Sequence, residues 1–289
     1  MSGWIILDKS SGLFSRTASS RVARLFGIKK SGHIGTLDPM ATGVLPIAIG
    51  NATKMIPFVE SANNGTKEYL FSMQFGFETD TLDITGAETA RNNIVPTDAQ
   101  IDSAIKSLIG DIYQIPPMYS AIHINGERAY KSARAGKNIE IPARAVHIYE
   151  LKYNGFDGKS WQFVVKCTTG TYVRSLGRDI AKKCGAYATV DMIRRISTNG
   201  FDIKNAVTLD FLENLVNNGG DIEKYLMPLD SGLGDIPVLN LGDKDIGLYK
   251  HGGFIETTMP NGLFRVYNGT EFVGIGVVQD KQLRPRRTI

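Results

Sequence analysis

Residues 31–50, SGHIGTLDPMATGVLPIAIG, place a single carboxylate, that of Asp38, in a loop crowded with glycine and followed directly by proline. Gly32, Gly35 and Gly43 lie around it. Glycine lets a backbone bend sharply and lets another group approach the chain closely. An isolated Asp-Pro pair is typical of a turn or of a helix N-cap. The crowding of glycines favours a second interpretation, in which Asp38 is a functional carboxylate that meets a ligand.

The common catalytic and phosphate-binding motifs are absent from the sequence. The loop has neither GxxxxGK[ST] nor GxGxxG, and the chain contains no HExxH and no GxSxG. Residues 32–35 match a bare GXXG, a pattern too short to identify a KH module. A glycoside hydrolase normally needs two acids close together. The sequence offers only one convincing acid, Asp38, so the site is expected to depend on one nucleophile or base.

The composition is that of a globular protein with a slightly basic balance. The chain has 289 residues, 42% of them apolar, with 33 basic and 29 acidic side chains. This length favours one large domain with a small satellite, and a net charge of +4 suits a polyanionic partner without requiring one. The N-terminus lacks a basic segment followed by a long apolar stretch, and no run of about 18 apolar residues occurs. We therefore expect a cytoplasmic protein that binds no membrane.

The two cysteines, Cys167 and Cys184, lie in apolar surroundings without a CxxC pattern or a nearby pair of histidines. Neither a disulfide framework nor a zinc site is therefore supported. Both thiols are expected to be buried and inert, and no metal is expected.

Strands and helices that must position the loop are visible as apolar periodicities, which alternate in strands and recur every three or four residues in helices. Their irregular interleaving favours an α+β fold over a doubly wound sheet. A Gly-, Pro- and Asn-rich stretch at 217–237 marks a boundary, and an Asn-Gly hairpin with a basic end predicts a small β domain behind it. The expected elements are a strand at 4–9, a helix at 15–26, a strand at 67–76, a helix at 97–109, a strand at 161–167 and a helix at about 175–184.

Residues 116–137 mix turn residues and aromatics with cations. Arg128, Lys131, Arg134 and Lys137 follow one another at steps of three, which would align them on one face of a helix. A solvated surface is the plain interpretation of such a face. An RNA contact is the alternative.

Five blocks of the sequence together resemble the TruB family of tRNA pseudouridine-55 synthases. The loop resembles its signature GHxGTLDPxATGVLPxxxG, although the start of the chain, KSSGLFS, lacks the proline of the usual KPxGxTS. The resemblance implies an α+β pseudouridine synthase fold, with a mixed, largely antiparallel sheet flanked by helices and a small C-terminal β-rich PUA-like domain. It implies a catalytic domain at 1–230, with an RNA-gripping insertion at about 116–140, and an RNA-binding domain at 235–289. The other matching blocks are KEYLFSMQFGFETDTLDITG at 67–86, PPMYSAIHINGERAYKSARAG from residue 116, GTYVRSLGRDIAKKCGAYATVDMIRRISTNGF at 170–201, and FVGIGVVQDKQLRPRR near the C-terminus.

The same resemblance assigns roles in the isomerisation of uridine 55 in the T-loop of tRNA. Asp38 is implied to be the catalytic aspartate, and Arg174 the arginine that pairs with it. Tyr69 is implied to stack under the target base. From the residues alone, an exposed arginine at a helix start is the better interpretation of Arg174. Tyr69 could simply be a core residue beside Phe71 and Met73.

The remaining expectations concern the RNA. Reaching the sugar and base of a stacked uridine requires flipping it, at a cost of a few kcal/mol, and His33 is implied to contact the region that the nucleotide leaves. Arg128, Lys131 and Arg134 would contact phosphates of the T-arm and elbow, so affinity is expected to fall with salt. The product is an isomer of the substrate, so no cofactor is expected. A monomer that works without guide RNA is the expected form.

Two other functions fit parts of the sequence. A member of the same superfamily that acts on guide-selected RNA within a ribonucleoprotein would share the motifs. A non-catalytic RNA-folding module would share the RNA-binding parts but would not need Asp38, Tyr69 and Arg174 together. Activity without guide RNA would exclude the first, and dependence of activity on Asp38 would exclude the second.

Overall fold

The computed structural model describes residues 1–62, 65–120, 123–124, 127–128 and 141–289. The chain divides into two compact units. The terminal unit comprises Met1–Leu37, Val44–Gly65 and Asn199–Ile289, and the central unit comprises Asp38–Gly43 and Thr66–Thr198. Asp38 therefore begins a short segment of the central unit that the chain inserts between two segments of the terminal unit.

The strands alternate irregularly with the helices, as the sequence predicts for an α+β fold. The strands are β1 Gly3–Lys9, β2 Ser31–His33, β3 Thr42–Ile49, β4 Lys67–Phe75, β5 Phe77–Thr79, β6 Glu88–Arg91, β7 Gly110–Gln114, β8 His123–Ile124, β9 Glu127–Arg128, β10 Arg144–Phe156, β11 Trp161–Cys167, β12 Ala188–Thr198, β13 Phe201–Asp202, β14 Val207–Thr208, β15 Val238–Asn240, β16 Ile255–Glu256, β17 Gly262–Asn268, β18 Glu271–Gln279 and β19 Gln282–Thr288. The α-helices are α1 Ser15–Leu25, α2 Ile56–Ser61, α3 Asp98–Lys106, α4 Val173–Lys183, α5 Leu209–Asn217 and α6 Asp243–Lys250, and 3-10 helices span Gly50–Lys54, Ile203–Asn205 and Ile222–Tyr225.

The central unit contains an antiparallel run of strands in the order β12-β4-β11-β10-β7. The first residues of β3 lie parallel to β12, with Thr42 opposite Arg194 and Gly43 opposite Arg195. The largely antiparallel sheet expected from the sequence is confirmed, and β3 makes it mixed. The strand that follows the Asp38 loop, β3, thus lies beside β12, and β12 pairs with β4.

The core of the central unit forms on the face of this sheet that alternation predicts. Tyr69, Phe71 and Met73 are buried on β4, and the Phe71 ring stacks on Phe163 of β11 with centroids 5.1 Å apart. Phe75, predicted on the same face, is only half-buried. Adjacent aromatic side chains on neighbouring strands stabilise a sheet beyond the area they bury.

Two helices of the central unit cover this core. Helix α3 begins with a capping box, in which Thr97 and Gln100 exchange side-chain and backbone hydrogen bonds. Helix α4 begins at Val173, two residues before the predicted start at Ser175, and ends at Lys183. The earlier start places Arg174 in the first helical turn.

The terminal unit contains two sheets. One has β1 between β14, which is parallel to it, and β3, and β2 pairs antiparallel with β3. The other is the predicted C-terminal β structure, in the order β15-β17-β18-β19-β16. The Asn-Gly hairpin is confirmed between β17 and β18, with Gly269 at φ 59°. Trp4 and Ile275 belong to one continuous buried cluster of this unit, so both ends of the chain contribute to its core.

Several sequence predictions concern single residues. Cys167 and Cys184 are free and buried, as expected. No helix in the described ranges is long and apolar enough to span a membrane. The side chains of Arg128, Lys131 and Arg134 lie outside the described residues, although the backbone of Arg128 belongs to strand β9 rather than to the expected helix.

The contact between β3 and β12 generates a stability prediction at Gly43. Its φ is +97°, and a Cβ there would lie 2.2 Å from the Arg195 carbonyl oxygen. We expect Gly43→Ala to lower the free energy of unfolding through both backbone strain, about 1–2 kcal/mol, and overpacking, about 2 kcal/mol more. Urea unfolding followed by circular dichroism measures this loss.

Gly110→Ala is the matched control, because Gly110 has φ +98° but open space around the added Cβ. We expect it to show the strain alone. Equal losses in the two variants would contradict the close approach of β3 to β12.

Candidate active site

Asp38 lies in a turn rather than at a helix start. The amide of Ala41 donates to the Asp38 carbonyl at 3.1 Å, and the chain then enters β3 at Thr42. No helix begins at this point, so the N-cap interpretation of the Asp-Pro pair is wrong. The Asp38 side chain remains 37% exposed. The loop therefore presents its carboxylate where a ligand can reach it.

Arg174 places a buried guanidinium against this carboxylate. Its Nε lies 2.9 Å from Asp38 Oδ2, and only 4% of the arginine side chain is exposed. The N–H direction lies off the line required for a hydrogen bond, so the contact is an ion pair by distance. Hydrogen bonds of catalytic groups are often poorly aligned before substrate binds. The structure thus brings together the two residues that the sequence resemblance pairs.

A second carboxylate, which the sequence analysis did not single out, also faces Arg174. Asp83 Oδ2 lies 3.3 Å from Arg174 Nη1, and 6% of its side chain is exposed. The Thr81 hydroxyl and the Thr85 amide each donate to Asp83 Oδ1 at 3.0 Å. These bonds fix the carboxylate, because two donors hold its other oxygen. Asp83 belongs to the TDTLD run of the block at 67–86, which was the available signal.

Two backbone carbonyls accept hydrogen bonds from the terminal nitrogens of the Arg174 guanidinium. Nη1 donates to the Thr81 carbonyl at 2.9 Å, and Nη2 donates to the Tyr119 carbonyl at 3.1 Å. A planar guanidinium bound at both ends has its plane and direction fixed. Its Nε edge consequently stays directed at Asp38.

Tyr69 lies on β4 opposite Arg195 of β12 and opposite Val165 of β11. Burial raises the pKa of the Tyr69 phenol, although the neighbouring Arg195 guanidinium, which hydrogen-bonds to it, opposes the shift. Asp38 is close enough to contribute to the same rise in the Tyr69 pKa. The three predicted catalytic residues therefore share one site within the central unit.

Arg195 is a further residue that sequence reasoning missed. Its side chain is fully buried. Burial lowers its pKa, and the Tyr69 phenol works against that shift. A buried guanidinium must be hydrogen-bonded to be tolerated, and its interaction with Tyr69 orients the phenol. The strand pattern gave no signal for it, because the sequence alone does not distinguish a buried arginine from one exposed to solvent.

Tyr172, directly before α4, is fixed through its backbone. The fully buried Gln114 of β7 accepts from the Tyr172 amide at 2.8 Å and donates to its carbonyl at 3.2 Å. Burial raises the pKa of the Tyr172 phenol. Two reciprocal hydrogen bonds to one residue set the position at which α4 starts, and so the position of Arg174.

His33 lies in β2 of the terminal unit, half-exposed, with its Nε2 3.3 Å from the Thr36 hydroxyl. The described residues contain no group of three or more His, Cys, Asp or Glu side chains that could hold a metal ion. Burial raises the pKa of the Cys167 thiol to about 11, so this sulfur is a poor nucleophile at neutral pH.

The arrangement in the central unit is that of a one-carboxylate site. Asp38 is accessible, and the buried Arg174 beside it favours its charged form by proximity of opposite charge. Such a carboxylate can act as a nucleophile or as a base. The neutral phenol of Tyr69 adds an aromatic face and a hydrogen-bond donor.

Three family models match the chain from residue 23 to its end. Residues 23–173 match the N-terminal domain of TruB family pseudouridylate synthase. Residues 174–234 match the tRNA pseudouridylate synthase B C-terminal domain, and 237–289 match the model described as pseudouridine synthase II TruB, C-terminal.

Curated relatives are similar to this protein over most of its chain. A protein of Caulobacter vibrioides named tRNA pseudouridine synthase B is 44% identical over 85% of this chain and 78% of its own length. Proteins of the same name from Zymomonas mobilis and Stutzerimonas stutzeri are 40% and 38% identical, over 91% and 100% of this chain and 92% and 96% of their own lengths.

Among solved structures, two chains share the fold at low identity. One comes from the structure of an H/ACA ribonucleoprotein bound to a substrate RNA containing 2'-deoxyuridine, with a TM-score of 0.73, 20% identity, and coverage of 99% of this chain and 84% of that chain. The other comes from a Cbf5-Nop10-Gar1 complex, with a TM-score of 0.73, 21% identity and the same coverage. They establish the pseudouridine synthase fold expected from the sequence.

The raised pKa of Tyr69 generates a prediction at alkaline pH. A group whose pKa is higher in the folded protein stabilises it fully below its ordinary value, 10.0 for tyrosine, and loses this contribution as pH rises through the folded value. We therefore expect the wild type to lose more stability above pH 10 than Tyr69→Phe does. Urea midpoints measured at a series of pH values test this.

Tyr113→Phe is the matched control, because its side chain is 81% exposed. It should follow the wild-type pH profile. If Tyr69→Phe followed that profile too, the buried environment of Tyr69 would be wrong.

Proposed function

The chain belongs to the TruB family of tRNA pseudouridine synthases, and on this premise we propose that Asp38 is the residue with which it isomerises uridine 55 of the T-loop to pseudouridine. The observation that carries the assignment is the accessible Asp38 carboxylate 2.9 Å from the buried Arg174 Nε. An enzyme of this kind is a TruB-type isomerase, an intramolecular transferase.

The reaction defines what the site must supply. The bond between ribose C1′ and uracil N1 breaks, the base turns, and a new bond forms from C1′ to C5. The proton on C5 then leaves, and N1 gains one, so atoms balance without any co-reactant. Asp38 serves this sequence by attacking C1′, by adding to C6 or by removing the C2′ proton. All three routes start from the ionised carboxylate, which the Arg174 charge favours.

Arg174 acts in this proposal by orientation and by charge. Because Asp83 and two carbonyls fix its guanidinium, it does not need to reorganise when the substrate arrives. A preorganised charge is worth more than one that must move into place during the reaction. Asp83 is thus a positioning residue that acts on Asp38 through Arg174.

Tyr69 is proposed to lie against the target base and to donate its hydroxyl proton or guide the C5 proton. The raised pKa of its phenol supports this role, because the hydroxyl stays protonated at neutral pH. Its interaction with Arg195 leaves little freedom for the ring to turn.

The RNA must present a flipped uridine, and binding energy from elsewhere must offset the unstacking. We assign this to His33, which would contact the space left by the nucleotide, and to Arg128, Lys131 and Arg134 of the insertion at about 116–140. Residues 235–289, with their five-stranded sheet and basic end, are proposed as a PUA-like RNA-binding domain that follows a catalytic domain at 1–230. The substrate assigned is tRNA through its T-arm and elbow, bound by a cytoplasmic monomer without guide RNA.

The first prediction on activity concerns Asp38. We expect the wild type to release tritium from a tRNA transcript labelled at uridine C5, with no guide RNA or cofactor added, and to leave pseudouridine in the T-loop. Asp38→Asn should release none above background, since an amide is neither a nucleophile nor a base here, yet should bind tRNA as the wild type does. Release by neither protein, with tight binding by both, would instead support a non-catalytic RNA-folding module.

A second prediction concerns Asp83. Asp83→Asn keeps the size of the side chain but removes one of the two negative charges that face the Arg174 guanidinium. We expect kcat to fall by about 10- to 100-fold, equivalent to about 1.4–2.8 kcal/mol of transition-state stabilisation, while KM changes little. Single-turnover tritium release at saturating tRNA measures this.

Asp179→Asn is the matched control for Asp83. Asp179 is a partly buried carboxylate paired with Arg178 on the same unit, outside the Asp38 cluster. It should leave kcat unchanged. Full activity of Asp83→Asn would show that Arg174 needs no second carboxylate.

A further inference from the structure

Arg144 opens strand β10 beside the active-site elements of the central unit. It lies opposite Gln114 of β7, the residue that holds the Tyr172 backbone. Its guanidinium packs on the backbone of Gly170, where a Cβ would come within 2.4 Å of Nη2. Gly170 has φ +91°, so a side chain there is disfavoured twice. The absence of a side chain at Gly170, four residues before Arg174, leaves room for this guanidinium.

The electrostatic neighbourhood of Arg144 overlaps with that of the catalytic pair. The Arg144 charge lowers the pKa of the Tyr172 phenol against the effect of burial, and Asp38 and Arg174 act on the same phenol. All three charged groups therefore lie near enough to the Tyr172 phenol to influence it.

The charge balance of this neighbourhood is uneven. Arg174 faces two carboxylates, those of Asp38 and Asp83, so its positive charge is compensated. Within the part of the chain that the structure describes, none of the ion pairs involves Arg144, whose side chain is half-buried. A half-buried cation without a carboxylate partner among the described residues suits an anion supplied from outside.

We propose that Arg144 binds a phosphate of the RNA backbone next to the flipped uridine. The proposal rests on the proposed function for the identity of the RNA. A guanidinium presents paired N–H donors that match two phosphate oxygens, and the Arg144 guanidinium lies against the Gly170 backbone. Such a contact sets the register of the RNA against Asp38 and carries no base specificity.

The experiment compares Arg144→Gln and Arg144→Lys with the wild type for binding of a T-arm hairpin over a range of salt from about 50 to 200 mM. Arg144→Gln should weaken binding about tenfold and reduce the slope of log K against log salt by about one. Arg144→Lys should keep the slope, because its charge remains, and lose part of the affinity, because a lysine makes no paired contact.

Kinetics separate a phosphate contact from a catalytic role. Removing a contact that is made equally in the bound substrate and in the transition state raises KM and leaves kcat unchanged. We therefore expect Arg144→Gln to reach the wild-type kcat at saturating tRNA. A fall in kcat with unchanged KM would overturn the proposal, and so would a lowered thermal midpoint with wild-type affinity, which would make Arg144 a structural support for Gly170.

Arg91→Gln is the matched control, since Arg91 is an exposed arginine paired with Glu88 on the β5–β6 hairpin. It should change neither affinity nor salt slope. An equal effect in both variants would show that Arg144 contributes only general positive charge and no specific phosphate site. Binding is measured in the Asp38→Asn background as well. Loss of affinity on Arg144→Gln with an inactive wild type would retain the phosphate site and reject the proposed reaction, whereas an active wild type with unchanged binding would reject the phosphate site alone.

Discussion

The fixed guanidinium of Arg174 is the interaction on which the site depends. Two backbone carbonyls and Asp83 hold its Nη1 and Nη2 atoms, and Nε faces Asp38. Burying an arginine costs several kcal/mol unless its hydrogen bonds and charge are satisfied. Asp83 and the carbonyls supply that compensation without using Asp38. The Asp38 carboxylate is therefore left with an exposed face, which a single Asp–Arg pair of equal burial would not allow.

The register of the sheet determines where the other groups of the site lie. Tyr69 on β4 lies opposite Arg195 on β12, and β3 approaches β12 closely at Gly43, which also lies opposite Arg195. A shift of one residue would turn Tyr69 to the opposite face of the sheet. The hydrophobic alternation that buries Phe71 and Met73 thus also determines the orientation of Tyr69. Core packing and the geometry of the candidate site are in this respect one constraint.

The sequence predicted the local elements well because they depend on local patterns. The strand at 67–76, the Asn-Gly hairpin and the buried cysteines follow from alternation and from turn chemistry. Helix α4 starts earlier than its apolar pattern, because Gln114 holds Tyr172 through contacts 58 residues apart in sequence. Asp83 and Arg195 were missed for the same reason, since burial of a charge by distant neighbours leaves no local signature. The assignment of Asp38 needed the family resemblance, because turn statistics alone favour a structural aspartate.

Asp38 and Arg174 differ sharply in burial, and this difference suits the proposed role of Asp38 as the one catalytic acid. Asp38 is 37% exposed and Arg174 is 4% exposed. Water reaches the carboxylate until the substrate arrives, so keeping it ionised costs little in the free enzyme. In the proposed reaction a nucleotide covers Asp38 and excludes water, so the local dielectric falls and the attraction of the fixed guanidinium strengthens. The carboxylate then exchanges solvation by water for the charge of Arg174, which has not moved. A second catalytic acid in the same position would be repelled by Asp38 as water left, and Asp83 avoids this because the guanidinium lies between the two.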